Sequence, residues 1–309
     1  LVDAGVEALA LCTLWSFRNP VHERMLREIA REMAPELYVS VSSELIPVIK
    51  EYERMATTVA NAYLGPVVRG YVAGMREELR DAGLRKEFFM LNSVGGVIPP
   101  EEAGLKPIQL LSSGPSGGAL ASQLLAKRLN QSDVLIADMG GTSFDAGLVV
   151  GGELLLQTEA SVGNLNLLNP MIGIRSIGTG GGSIASGVDG MLKVGPQSAG
   201  SFPGPACYGR GGKRPTVTDA DLVLGFLDPK YFLSGKMPLD VEAAKRGIEE
   251  RVAKPLGVSF IQAVWGIHDL INEMMAAAAK THIAERGGNP RVVTVAAFGG
   301  AGPVHAYGL

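Results

Sequence analysis

The chain reads as an α/β protein, and three observations carry that prediction. Short apolar runs, such as 134–137 and 292–297, alternate with longer segments of helical periodicity. Several of those runs end on glycine pairs, at 140–141 and 299–300. There are also 41 glycines in 309 residues with no collagen period, which implies many tight turns and ligand-facing loops. In α/β folds ligands sit at the carboxyl ends of strands, where these glycines lie.

The elements follow in order. Residues 6–17 are apolar enough for a buried strand, ended by Asn19-Pro20. Residues 22–33 have helical spacing, with Met25, Leu26, Ile29 and Met33 on one face. Residues 37–41 predict a second strand. Residues 57–79 predict a helix that Gly65-Pro66 and Gly74 should break or kink. A short strand at 88–91 runs into Gly95-Gly96. Next come a strand at 108–111, a glycine loop at 112–118 and a helix at 119–129. Residues 134–150 read as strand, tight turn, strand, and 151–156 as one more strand. The stretch 160–235 is rich in glycine and proline and predicts loops and short strands. Asp240 suits the N-cap of a helix over 239–252, and Ser259 that of a long helix over 259–285 stopped by Gly287-Gly288. A strand at 292–297, a glycine turn and a helix beginning at Val304 complete the chain.

Composition excludes several functions. Net charge is −3, and no basic block interleaved with aromatics marks a nucleic-acid surface. No apolar run reaches the ~20 residues that cross a bilayer. Residues 1–5 lack an initiator Met and a basic leader, so they read as a chain begun in its middle rather than a signal peptide. Cys12 and Cys207 form no C-x-x-C, which fits a cytoplasmic protein. His22, His268, His282 and His305 have no zinc spacing and read as structural or exposed.

The chemistry concentrates in three glycine segments. In 138–145, Asp138 and Asp145 flank Gly140, Gly141, Thr142 and Ser143. Glycines let backbone amides converge on an anion, and paired carboxylates suit a hard divalent cation. The segment is therefore a candidate phosphate clamp, with a plain β-hairpin as the alternative. A second run of exposed amides is offered by Gly180, Gly181 and Gly182. It is not a dinucleotide fingerprint, because Ser183 stands where the third glycine belongs. Gly299, Gly300 and Gly302 form a third, between a strand and a helix, where a base or ribose can lie against backbone. Walker A is absent: the nearest stretch, 204–211, has Arg210 for Lys and Gly211 for Ser or Thr. A rival site is G-x-S-x-G at 114–118, a nucleophile elbow with Ser116 attacking, Asp219 or Asp221 next, and His268, His282 or His305 last.

These pieces resemble one family. The segment DMGGTSFD (138–145) is similar to the second phosphate motif of the superfamily of sugar kinases, actin and chaperone ATPases, and VVTVAAFGGAGPV (292–304) to its adenosine motif. Within it, SFRNPVHE (16–23), EYERMATTVANAYLGP (51–66), LLSSGPSGGAL (110–120), IADMGGTSFDAGLV (136–149), SIGTGGGSIA (176–185), the long 198–229 segment and AFGGAGPVHA (297–306) resemble the hydantoinase A/5-oxoprolinase family over nearly the whole chain.

The resemblance implies an actin-like, ribonuclease H-like ATPase fold of mixed sheets flanked by helices. It implies ATP and Mg²⁺ as cofactors, and ring opening of a cyclic amide or imide (hydantoin, N-methylhydantoin or 5-oxoproline) through carbonyl phosphorylation. Related machinery carboxylates ketones. A hydantoinase B-like subunit or domain is the implied partner, and a homo-oligomer is compatible with this. By matching position, Asp138 and Asp145 would be the catalytic carboxylates, Asp138 holding Mg²⁺ or orienting water and Asp145 bracing the turn or the metal shell, while Gly140, Gly141 and Thr142 would bind phosphates with Ser143 beside them. Gly180 to Gly182 and Gly299, Gly300 and Gly302 would line the nucleotide cleft. Residues 1–50 resemble the C-terminal end of the family's N-terminal domain, and 51–309 the hydantoinase A domain. Members carry a first D-x-G-G-T loop near the N-terminus, whereas here the motif occurs once, at 138–142. The chain is therefore expected to be a fragment with weak or no ATP turnover alone.

Overall fold

The structure, a computed structural model, describes residues 4–309. The first three residues of the N-terminal stretch read above lie outside it. The chain divides into two compact units, 1–120 with 155–173, and 121–154 with 174–309.

In the first unit a two-stranded parallel sheet pairs Ala8–Leu11 with Tyr38–Val41, with the helix Val21–Met33 between them in sequence. The helix Glu51–Asp81 packs on both strands. The break expected at Gly65-Pro66 does not occur, and the helix runs unbroken for 31 residues. The reason is packing: a Cβ on Gly65 would collide with the Tyr38 ring, so this glycine serves close approach rather than a bend. The expected strand at 108–111 is instead the 3₁₀ turn Pro107–Leu110, where the Ile108 amide donates to Asn61 Oδ1 at 3.2 Å. Met25, Leu26, Ile29 and Met33 do share a helix face, and that face is exposed.

What anchors the first unit's N-terminal part is a buried polar network. Glu23 accepts from the Thr13 amide (2.7 Å), Ser42 Oγ (2.7 Å) and the Ser43 amide (2.9 Å). Arg54, fully buried, donates to Ser16 Oγ and the Thr13 carbonyl, both at 2.9 Å. The motifs 16–23 and 51–66 therefore meet in structural roles. Burial alone would raise the Glu23 carboxyl, but these hydrogen bonds outweigh it and hold the group below its usual range.

The second unit is built on a mixed five-stranded sheet. Its path runs Ile174–Ile177, Phe144–Val150, Val134–Met139, Thr294–Phe298, with Glu153–Leu154 also paired to Phe144–Val150. Thr294–Phe298 runs parallel to Val134–Met139, and the other pairings are antiparallel. Ile136, Met139, Phe144 and Val149 are fully buried, as expected for strands covered on both faces. The long helix Phe260–Glu285 packs on the sheet, contributing Ile267, Ile271 and Met275 to the core. It starts at the expected place: Ser259 and Gln262 form a capping box. Asp240 likewise caps Val241–Ile248, accepting from the Ala243 amide at 2.9 Å, after which Glu249–Ala253 widens into a π turn. Among the described residues no helix is long and apolar enough to cross a membrane.

Two outcomes test this packing. Gly65→Ala gains helix propensity worth about 1 kcal/mol but meets the Tyr38 ring, so a net loss of about 1–3 kcal/mol is expected in urea unfolding. Because the folded-state pKa of Glu23 is depressed, its contribution is present above the unfolded carboxylate range and vanishes as pH falls through the folded value. Glu23→Gln should therefore cost about 2 kcal/mol near neutral pH and progressively less below about pH 4.

Candidate functional site

The site lies in the second unit, where four turns join through their backbones. The strand Val134–Met139 ends in a four-residue turn that the Gly140 amide closes by donating to the Ser143 carbonyl at 3.1 Å. The second glycine run docks on that turn: the Gly181 amide donates to the Gly140 carbonyl (2.9 Å) and the Gly182 amide to the Gly141 carbonyl (2.7 Å). A Cβ on Gly180 would stand 2.7 Å from the Gly141–Thr142 peptide, and one on Gly182 would stand 2.7 Å from the Gly141 oxygen. The third turn follows Thr294–Phe298, whose register sets Phe298 opposite Asp138, and the Ala301 amide donates to the Met139 carbonyl at 2.9 Å. Gly299 has φ +84°, and a Cβ there would run into the Asp138 carboxylate. The fourth segment adds Thr218, whose amide and hydroxyl both donate to the Gly181 carbonyl at 2.8 Å.

This arrangement sorts the sequence-predicted residues. Gly140, Gly141, Gly181, Gly182 and Gly300 line a cavity of about 120 Å³, walled on one side by Tyr208, Leu227 and Phe232. That is smaller than the roughly 300–1,000 Å³ of sites that enclose drug-sized ligands, and it suits one end of a ligand. Gly180, Gly299 and Gly302 lie behind it as close-approach positions against backbone or the Asp138 carboxylate. Among the described residues, no protein acceptor takes the amide hydrogens of Gly141, Thr142 or Gly300.

Asp138 and Asp145 are direct cross-strand partners, both half-buried. Asp145 accepts from Ser143 Oγ at 3.1 Å. Burial, and secondly the Asp145 carboxylate, push the Asp138 carboxyl above its usual range. Thr142 is exposed at the turn's tip and does not line the cavity.

Other residues take roles that the sequence left open. Asp219 is fully buried and accepts from the amides of Ala206 (3.2 Å), Cys207 (2.7 Å) and Thr216 (2.7 Å), so it pins the 198–216 segment. Cys207 is buried too, and burial pushes its thiol well above the usual range, away from thiolate character. Arg210 is exposed.

The elbow at Ser116 is not formed. Ser116 lies within the helix Ser113–Leu129, fully buried, its hydroxyl donating to the Ser93 and Ser112 carbonyls at 2.9 Å. His22 is exposed, as read. His268 and His305, read as structural or exposed, converge on Asp221, which lines the cavity. No motif spacing announced that cluster, because its members lie in three elements far apart in sequence.

The fold and site together define a mixed α/β protein with a glycine-walled, anion-sized cavity beside paired carboxylates. The chain belongs to the hydantoinase/oxoprolinase family, whose model matches residues 54–309. It is 39% identical to the acetophenone carboxylase gamma subunit of Aromatoleum aromaticum, over all of this chain and 43% of that protein. It is 38% identical to the caprolactamase subunit alpha of Pseudomonas jessenii, over 99% of this chain and 44% of that protein. A solved nucleotide-free acetone carboxylase structure superposes with TM-score 0.87 at 30% identity, covering all of this chain and 44% of its own. The chain thus spans less than half the length of these relatives.

Sterics predict a split among glycine variants. Gly180→Ala and Gly182→Ala should each destabilise by about 1–3 kcal/mol, because the obstacle is backbone. Gly140→Ala and Gly300→Ala, with open space at the Cβ position, should shift the melting temperature little. Thermal unfolding of the four variants checks both halves.

Proposed function

We propose that this chain supplies a nucleotide-phosphate clamp, of the actin-like ATPase type, to an ATP-dependent enzyme that activates a carbonyl group. The observation that carries the reading is the joining of the 140–143, 180–183 and 299–302 turns through main-chain hydrogen bonds, with the Gly141, Thr142 and Gly300 amides uncommitted. Amides held in that way meet anionic oxygens without reorganising, which is how phosphoryl transfer is chiefly catalysed. Supporting this, relatives are named as an ATP-dependent caprolactamase and an ATP-dependent acetone carboxylase.

A divalent cation fits the acidic pair. Burial first, and then repulsion from its cross-strand partner Asp145, raise the Asp138 carboxyl, and a cation would relieve both. Asp138 would hold Mg²⁺ or its water, with Asp145 bracing the turn through Ser143. When bound, Mg²⁺ would neutralise and orient phosphate oxygens. The residues' own work is to position the transferring phosphoryl group and to stabilise its charge through the amides of Gly141, Thr142 and Gly300.

The leading substrate class is a cyclic amide or imide such as hydantoin, N-methylhydantoin or 5-oxoproline. An amide carbonyl is a poor electrophile, and phosphate on its oxygen provides a leaving group before water opens the ring. Ketone carboxylation is the second reading, because carboxylase and lactamase relatives match at 39% and 38% identity. Those relatives are named as subunits, which supports a hydantoinase B-like partner here. Residues 1–50 would then belong to the end of an N-terminal domain and 51–309 to the hydantoinase A domain. A serine hydrolase using Ser116 has no support, given that its hydroxyl is buried and donates to two carbonyls.

The test uses the assembled enzyme. Asp138→Asn should lower ATP turnover by roughly 10²-fold or more. Gly141→Ala should keep its melting temperature yet lose nucleotide affinity, since only a ligand occupies that space. Unchanged ATP affinity and turnover in both variants would refute the clamp. ATP consumption that requires bicarbonate and a ketone would select the carboxylase reading, whereas consumption with a lactam alone would select ring opening.

A further inference from the structure

We propose that Asp221, His268 and His305 form a binding site for a divalent transition-metal ion of the Zn²⁺, Mn²⁺ and Co²⁺ class, separate from the all-oxygen pair Asp138 and Asp145. The three side chains come from three elements: the helix Val217–Val223, the long helix Phe260–Glu285 and the turn Gly302–His305. All are buried, Asp221 to 2% exposure, His268 to 5% and His305 to 0%. One carboxylate oxygen and one nitrogen from each ring lie within 4.8 Å of one another.

The hydrogen-bond pattern around His305 suits a metal ligand. Its Nδ1 lies 2.7 Å from Asn272 Oδ1, so with the amide oxygen toward the ring that nitrogen carries the proton. In the neutral ring Nε2 then holds a lone pair, and it faces Asp221 Oδ2 at 3.2 Å. Two acceptors therefore confront each other in a buried site.

A proton between them would make a charge-assisted bond, which normally shortens to about 2.7–2.9 Å. Here the bond to the neutral amide is the short one and the contact to the carboxylate is the long one. Metal bonds of about 2.1 Å at near-tetrahedral angles instead set two donor atoms roughly 3.4 Å apart. Ligating histidines also characteristically donate their other N–H to a carbonyl or carboxylate, as His305 does to Asn272.

His268 brings the third donor: its Nδ1 shares a proton with Asp221 Oδ1 at 2.8 Å, which a metal ion would displace on binding. The two rings stack with centroids 4.7 Å apart, and Phe226 and Trp265 lie against His268 at 5.0 and 5.6 Å. Two imidazoles with one carboxylate favour borderline transition ions over Mg²⁺ or Ca²⁺. Because Asp221 also lines the glycine cavity, an ion here would add fixed positive charge next to the proposed anion site.

The test needs no ATP, so it is independent of the clamp. The full chain, stripped with a chelator, is titrated with Co²⁺ and then Zn²⁺. One equivalent should bind, with visible Co²⁺ bands, and zinc K-edge absorption should register two imidazoles per ion in the unaltered protein. Asp221→Asn and His305→Asn should each weaken binding at least tenfold, and Asn272→Ala should weaken it about 10- to 100-fold. Absence of stoichiometric binding, a zinc shell without imidazole, or full affinity in a folded His305→Asn variant would each overturn the assignment.

Discussion

Backbone against backbone is the contact on which this molecule's site depends. The second glycine run can hydrogen-bond to the Gly140 and Gly141 carbonyls only because Gly180 and Gly182 carry no side chain to hold the strands of peptide apart. The same logic places Gly299 over Asp138 and Gly302 over Ala137 and Met139. Glycine is costly to order, and here that cost is offset by a cradle whose amides are fixed in advance. The scaffold behind the cradle is rigid for an ordinary reason: strands buried on both faces and a long helix fill its core.

Much of this was legible in the sequence. The helix boundaries at Asp240 and Ser259 were readable because capping is local chemistry, decided within three or four residues. The 134–150 hairpin was readable because an apolar run, a glycine turn and a second apolar run admit few other structures. Which glycines face the cavity and which lie behind it was not readable, since that depends on segments 40 to 160 residues away. Asp221, His268 and His305 were legible only as candidate members of a serine triad; that all three meet each other was not, because each sits in a different element and no spacing links them.

The misreadings have a common origin. Local propensity at Gly65-Pro66 predicts a break or kink, yet the helix continues because Tyr38 needs the space that Gly65 leaves. The 114–118 pattern matched a nucleophile elbow, but a turn at Pro107–Leu110 replaces the strand that an elbow requires, and Ser116 faces two carbonyls inside the protein. In both cases a short pattern was overruled by distant packing. The family-like segments 16–23 and 51–66 gain a plain explanation too, since Glu23 and Arg54 hold the first unit's N-terminal strands and helices together.

The parallel pairing of Thr294–Phe298 with Val134–Met139 has a bearing on how the protein is made. The two strands are neighbours in the sheet, yet about half the chain separates them. Closing so long a loop is entropically slow, and contacts of that range form late. During synthesis the Asp138 turn would emerge and wait, with one flank of its sheet unpaired, until Thr294–Phe298 left the ribosome. A nascent chain that lacks this strand holds no assembled cradle, and that interval is when the bare edge is most open to mispairing with another chain.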